Sequence, residues 1–147
     1  MSATTTAITL SLVAGVAGAL QASLSGNLGK RIGVVEAGAF GALLAGVLIA
    51  VLAVSLGRGG GIAAALRQPA WLWLTGVMGA IVVLTITFAP PKIGTFATIA
   101  LLIAGQLIAG ALVDAFGWLG SDRIPITLTR ASGLVLLAAG AFLTLKR

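Results

Sequence analysis

The stretch LIAGQLIAGALVDAFG, residues 102–117, is lipid-soluble at every position except Gln106 and Asp114. On an α-helix these two stand eight residues apart, about 12 Å along the axis at roughly 1.5 Å per residue. That spacing keeps them on nearly the same face, with Gly110 leaving room between them. The chemistry open to an amide and a carboxylate so placed is hydrogen bonding and charge attraction. Glu36, about one turn into an earlier apolar segment, and Gln21, near the end of the first, share the same anomaly. Polar groups at membrane depth are costly and face either protein or a water-filled cavity. For Gln106 the two readings are an interhelical hydrogen bond, worth roughly 0.6–2 kcal/mol, and contact with a substrate. Asp114 suits an interfacial cap, a partner for Arg123 or Arg130, or a gate. Glu36 suits pairing with Lys30 or Arg31 in the headgroup region, and Gln21 lies close enough to the interface to be wet. All four are candidate substrate-binding residues. Thr85 and Thr87, in VLTITFAPPK, are expected to bond their own helix backbone.

Composition narrows what these groups can do. Hydrophobic residues make up 59% of the 147 and charged residues 8%, against roughly 25% charged in a soluble domain. Nine basic and three acidic residues cannot wet the surface of a globule this size, so the chain reads as a membrane protein. It has no cysteine and no histidine, which removes disulfides, thiolate nucleophiles, the usual zinc and haem ligands and the commonest general base. No nucleophile–base set remains, so no enzyme and no cofactor are expected. The net charge of +6 comes from basic residues spread singly or in pairs without an aromatic stripe. They suit anionic lipid headgroups, not nucleic acid.

The elements that position the polar groups are apolar runs approaching the ~20 residues that cross ~30 Å of hydrocarbon. Five are expected, at about 5–24, 34–56, 71–89, 94–117 and 128–145. The separators SGNLGKRIG, GRGGG, PPK and GSDRIPIT carry the breakers and charges of loops. The N-terminal MSATTTAITLSLVAGVAGAL lacks a basic n-region and reads as a first membrane helix rather than a cleaved signal. GRGGG lacks the lysine and Ser/Thr of a phosphate-binding loop and is taken as a flexible turn. IAAALRQPA suits a short interfacial helix ending before Pro69. Trp71, Trp73 and Trp118 suit aromatic-belt anchors. The expectation is one domain over residues 1–147, an all-α membrane protein built as a bundle of five transmembrane helices.

An odd number of spans puts the termini on opposite sides. Arg58, Arg67, Arg123 and Arg130 then fall on the N-terminal side, and Lys30, Arg31, Lys92, Lys146 and Arg147 on the other. Four against five gives the positive-inside rule almost nothing to act on. Insertion both ways round, and an antiparallel pair, fits that balance; a fixed orientation set by a partner or one dominant loop is the alternative. Small residues recur at four-residue spacing, as Ala14, Gly18 and Ala22, as Gly38, Ala42, Gly46 and Ala50, and as Ala97, Gly105 and Ala109. Such stripes let helix backbones approach closely.

The run from Pro69 to Gly120 resembles the YdcZ-like five-helix proteins of the drug/metabolite transporter superfamily. The likeness rests on Trp71 or Trp73 ahead of Gly76 and Gly79, on Ile93, Gly94 and Ile99, and on Gln106, Leu107, Ile108, Asp114 and Phe116. LQASL, with Gln21, is also similar, so the likeness covers nearly the whole chain. It implies a multi-pass protein of the bacterial or archaeal inner membrane, a half-transporter that works as a homodimer or with a related five-helix subunit. It also implies a small-molecule substrate, with small organic cations one class. Glu36 stands where relatives commonly carry Ser, Pro or an apolar residue, so its role is not inherited. The first helix lacks the membrane-centred glutamate of small multidrug exporters, so their proton coupling does not transfer.

The expected function is therefore a subunit of a secondary transporter working by alternating access in the membrane. The competing reading is a non-transporting scaffold or modulatory subunit. A channel is disfavoured, because one mid-helix glutamine makes no continuous polar line.

Overall fold

The computed structural model describes residues 2–57 and 60–145. Arg58, Lys146 and Arg147, counted in the charge balance, lie outside the described residues, as does part of GRGGG. The regular structure of the described chain is all helical: α1 (Ala3–Ile32), α2 (Val34–Ser55), α3 (Gly60–Ala65), a 3-10 turn at Ala70–Trp73, α4 (Leu74–Phe88), α5 (Pro90–Ile93), α6 (Thr95–Phe116), a second 3-10 turn at Trp118–Gly120 and α7 (Leu128–Leu143). Among the described residues four spans are long and apolar enough to cross a membrane: Ala3–Ile32, Val34–Ser55, Ala70–Ile93 and Thr95–Phe116. The fifth expected span, α7, has 16 residues. That is about 24 Å at ~1.5 Å per residue, short of ~30 Å of hydrocarbon. The chain is an all-α, multi-span membrane protein, and its contacts divide it into two compact units, Met1–Pro91 and Lys92–Arg147.

In the first unit α1, α2 and α4 pack against one another. The seam is built of small side chains: Ala22, Gly26, Ala37, Gly38 and Thr87 are buried, with Ile86 the one large aliphatic among them. Large apolar residues such as Leu12, Val47 and Leu48 lie exposed, as lipid contact requires. Helix α1 runs well past the expected end near residue 24. SGNLGKRI remains helical because Gly26 and Gly29 serve contact, not turning. A Cβ at Gly29 would come within 2.9 Å of Thr87 Cγ2, and one at Gly26 within 3.1 Å of Pro91 Cδ. Asn27 closes its own polarity by donating to the Ser23 carbonyl at 3.0 Å. Gln21 therefore sits well inside a 30-residue helix and not near its end.

Two glycines divide consecutive helices in the same way. Gly33 has φ 101° and ψ 152°, and Gly94 has φ 87° and ψ 153°, a region essentially closed to other residues. Each follows Ile and a basic residue, in KRIG and PKIG. Gly33 receives the Ala37 N–H at 3.1 Å, and Gly94 receives that of Thr98 at 3.1 Å, so each carbonyl starts a new helix. PPK, expected as a loop, is the short helix α5.

In the second unit α6 and α7 pack against each other, and Ala97 of α6 and Ala141 of α7 are buried. Thr98, also buried, bonds the Gly94 carbonyl at 2.8 Å.

Candidate functional site

The face of α6 that bears Gln106, Gly110 and Asp114 is one wall of an open groove. Arg130, Gly133, Leu134 and Leu137 of α7 form the other, around a volume of about 400 Å³. A Cβ at Gly110 or Gly133 would meet nothing within 4 Å, so the room between the helices comes from missing side chains. Gln106 is exposed along this groove, and its amide makes no hydrogen bond among the described residues. A second, apolar groove, about 440 Å³ between Phe96 and Thr144, meets the first at Leu137.

The return loop builds the charged end. Gly117 takes a left-handed conformation and closes α6 by donating its N–H to Val113. Ile124 N–H donates to the Asp114 carbonyl at 2.8 Å, and Arg123 Nε donates to the Ala115 carbonyl at 3.1 Å. These bonds satisfy carbonyls that a helix end otherwise leaves orphaned. Thr127 then caps α7 by accepting from the Arg130 N–H at 3.3 Å. The result places Arg130 Nη1 3.6 Å from Asp114 Oδ2, with both side chains partly open to the outside. Of the two partners expected for Asp114, Arg130 takes the carboxylate and Arg123 takes the backbone beside it.

The other candidates lie apart from this groove in the first unit. Glu36 is exposed in the first turn of α2, with its carboxylate lying back over Gly33. An acid at that position is favoured by the positive end of the helix dipole. Among the described residues it forms no ion pair with Lys30 or Arg31, which occupy the last turn of α1 instead. Gln21 is exposed on α1. Thr85 and Thr87 bond the carbonyls of Ile81 and Val83 at 2.8 Å, as expected. Among the described residues no group of three or more acidic, His or Cys side chains is placed to hold a metal.

A family model described as "Putative inner membrane exporter, YdcZ" matches residues 6–143. The chain belongs to this family. No curated protein and no solved structure matches it. As a YdcZ-family protein it is a multi-pass inner-membrane protein of a transporter family, not an enzyme, consistent with small-molecule transport.

Arg130 is the groove residue that the sequence ranks too low. It reads there as one of two possible partners of Asp114 and not as a candidate binding residue. Its distinguishing signal is position: three residues after Thr127 it opens a helix, where a cation is disfavoured.

Proposed function

We propose that the chain is half of a small secondary transporter that moves a small organic metabolite bearing a positive charge, by alternating access, as an antiparallel dimer. The observation that carries this reading is the groove in which Gln106, Asp114 and Arg130 are the polar groups of an otherwise apolar wall. An amide without an internal partner at that depth is costly unless it meets a ligand, water or another subunit. In this reading all five apolar segments span, with α7 meeting the bilayer as a short span. Gln106 contacts the substrate, Asp114 and Glu36 bias the mouths toward cations, and Gln21 is a further polar contact on α1. The level balance of basic residues on the two sides supports dual orientation. Open faces at Gly18, Gly46, Gly76 and Gly79, where a Cβ would meet nothing within 4 Å, leave room for close helix contact with another subunit.

Two measurements test the reading. Single cysteines near the two ends of this cysteine-free chain, labelled from one side of the membrane, should each be partly accessible and partly protected. Full protection of one end removes the antiparallel homodimer. Proteoliposomes should then accumulate at least one labelled amine of a small panel, and no uptake of any of them removes transport of cations. A modulatory subunit is the second reading, and the already paired Asp114 and the placement of Glu36 in the first turn of α2 favour it. It requires one orientation and unchanged function in Glu36→Gln.

A further inference from the structure

Arg130 and Asp114 face each other across the groove as a pair of opposite charges. Arg123, six residues beyond Gly117, is spent on the backbone of α6 through its Nε. Arg130 has five N–H donors in a planar fork. Among the described residues its side chain makes one charged contact, at 3.6 Å. A charge-assisted hydrogen bond lies near 2.7–2.9 Å, so the fork is close to the carboxylate without being bonded to it. Helix dipoles do not account for the pair. Arg130 opposes the N-terminal end of α7 and Asp114 opposes the C-terminal end of α6, while each faces the favourable end of the opposite helix. The terms offset, and a partly exposed pair stabilises little by itself.

The pair does dictate what the groove can hold. A simple cation drawn to Asp114 meets the Arg130 guanidinium beside it, and a simple anion on Arg130 meets the Asp114 carboxylate. Either leaves one protein charge without a partner in an otherwise apolar groove, which disfavours it at membrane depth. A ligand carrying both signs pairs with both. We infer that this groove takes a zwitterion, its ammonium group on Asp114 and its acidic group on Arg130, with the apolar part of the ligand along Leu107 and Leu134. The inference deepens the transport reading and rests on it for treating the groove as the substrate site. A soluble ammonium carboxylate and the headgroup of phosphatidylethanolamine share this chemistry, and the test separates them.

The full chain is placed in nanodiscs of phosphatidylglycerol, which offers no zwitterion. It is then titrated calorimetrically with glycine betaine, choline and 3,3-dimethylbutyrate. The three share one bulky apolar head and differ in charge. Betaine should bind about tenfold tighter than either of the others, a difference of roughly 1.4 kcal/mol. Arg130→Gln should erase that advantage by weakening betaine without weakening choline, whereas Arg130→Lys should preserve it. If Arg130→Gln does not elute as a monodisperse protein, the double exchange Asp114→Arg with Arg130→Asp decides, since it should keep the preference for betaine. In discs containing phosphatidylethanolamine, native mass spectrometry should show that lipid retained by the wild type and lost by Arg130→Gln if the headgroup is the source. The inference falls if choline binds as well as betaine and phosphatidylethanolamine is not retained over phosphatidylglycerol. It falls equally if Arg130→Gln changes neither preference. Binding is read apart from uptake. Betaine bound but never transported would remove the transport reading alone, and amine uptake that persists while betaine binds no tighter than choline would remove the zwitterion alone.

Discussion

The two units of the chain treat polar side chains in opposite ways. In Met1–Pro91 the buried hydroxyl of Thr87 lies among glycines and alanines and is satisfied by its own helix at 2.8 Å. Gly26 and Gly29 bring α1 against Thr87 and the prolines with no space for one more carbon. In Lys92–Arg147 Ala97, Thr98 and Ala141 are buried, while an open groove lies between α6 and α7 around Gly110 and Gly133. There Gln106 has no internal partner and Arg130 has one long contact. The same residue types thus serve packing in one unit and leave a space in the other. A glycine stripe or an intramembrane polar group acquires its meaning from what stands within 4 Å of it.

Substitutions can break this contrast, and the largest effect belongs to the tight seam. Gly29→Val should destabilise the protein by about 3 kcal/mol, the upper range for overpacking. Gly110→Val, the same change in the open groove, should stay within about 0.5 kcal/mol, as for sites away from packed features. Thermal unfolding in detergent compares them, and equal losses would abolish the distinction between units. Next comes Gln106→Leu, which should lower amine uptake into proteoliposomes about tenfold, the kinetic equivalent of roughly 1.4 kcal/mol. Its melting temperature should not fall; a drop in stability with uptake intact would make Gln106 a structural pin. Thr87→Val should do the reverse, costing about 1 kcal/mol of stability for one lost hydrogen bond while uptake holds. The smallest effect is expected of Glu36→Gln, about 0.3–1 kcal/mol through the dipole of α2. If Glu36 also biases a mouth, its loss should lower amine uptake more at low salt than at high salt. Uptake insensitive to both substitution and salt would leave Glu36 a helix-start residue only.

Much of this was legible in the sequence, because the bilayer permits few structures. Apolar runs of the right length located α2, α4 and α6 closely, and the Gln106–Asp114 spacing placed both residues in one groove. The end of α1 was misplaced because Ser25, Gly26, Asn27 and Gly29 resemble a turn when read locally. Their reason for being small is Thr87 and Pro91, some sixty residues away, which no local pattern reports. That error also carried Gln21 toward the interface. Arg130 was legible as one of two possible partners of Asp114, but the choice between it and Arg123 depends on how the loop folds back through Arg123 and Ile124. The Glu36 pairing with Lys30 or Arg31 failed for a related reason. Gly33 starts a new helix between them, so the acid finds a helix terminus at closer range than the bases.

The lengths of α1 and α7 have a consequence for the host bilayer. Thirty residues make a rod of about 45 Å, and sixteen make one of about 24 Å. A hydrocarbon slab near 30 Å matches neither. The long helix must lean or protrude and, in the proposed five-span arrangement, lipids around the short one thin or expose polar ends, each at a cost of fractions of a kcal/mol per Å. Acyl-chain length thus acts on this small protein as a mechanical variable. Thin membranes relieve α7 while they load α1, and thick ones do the opposite.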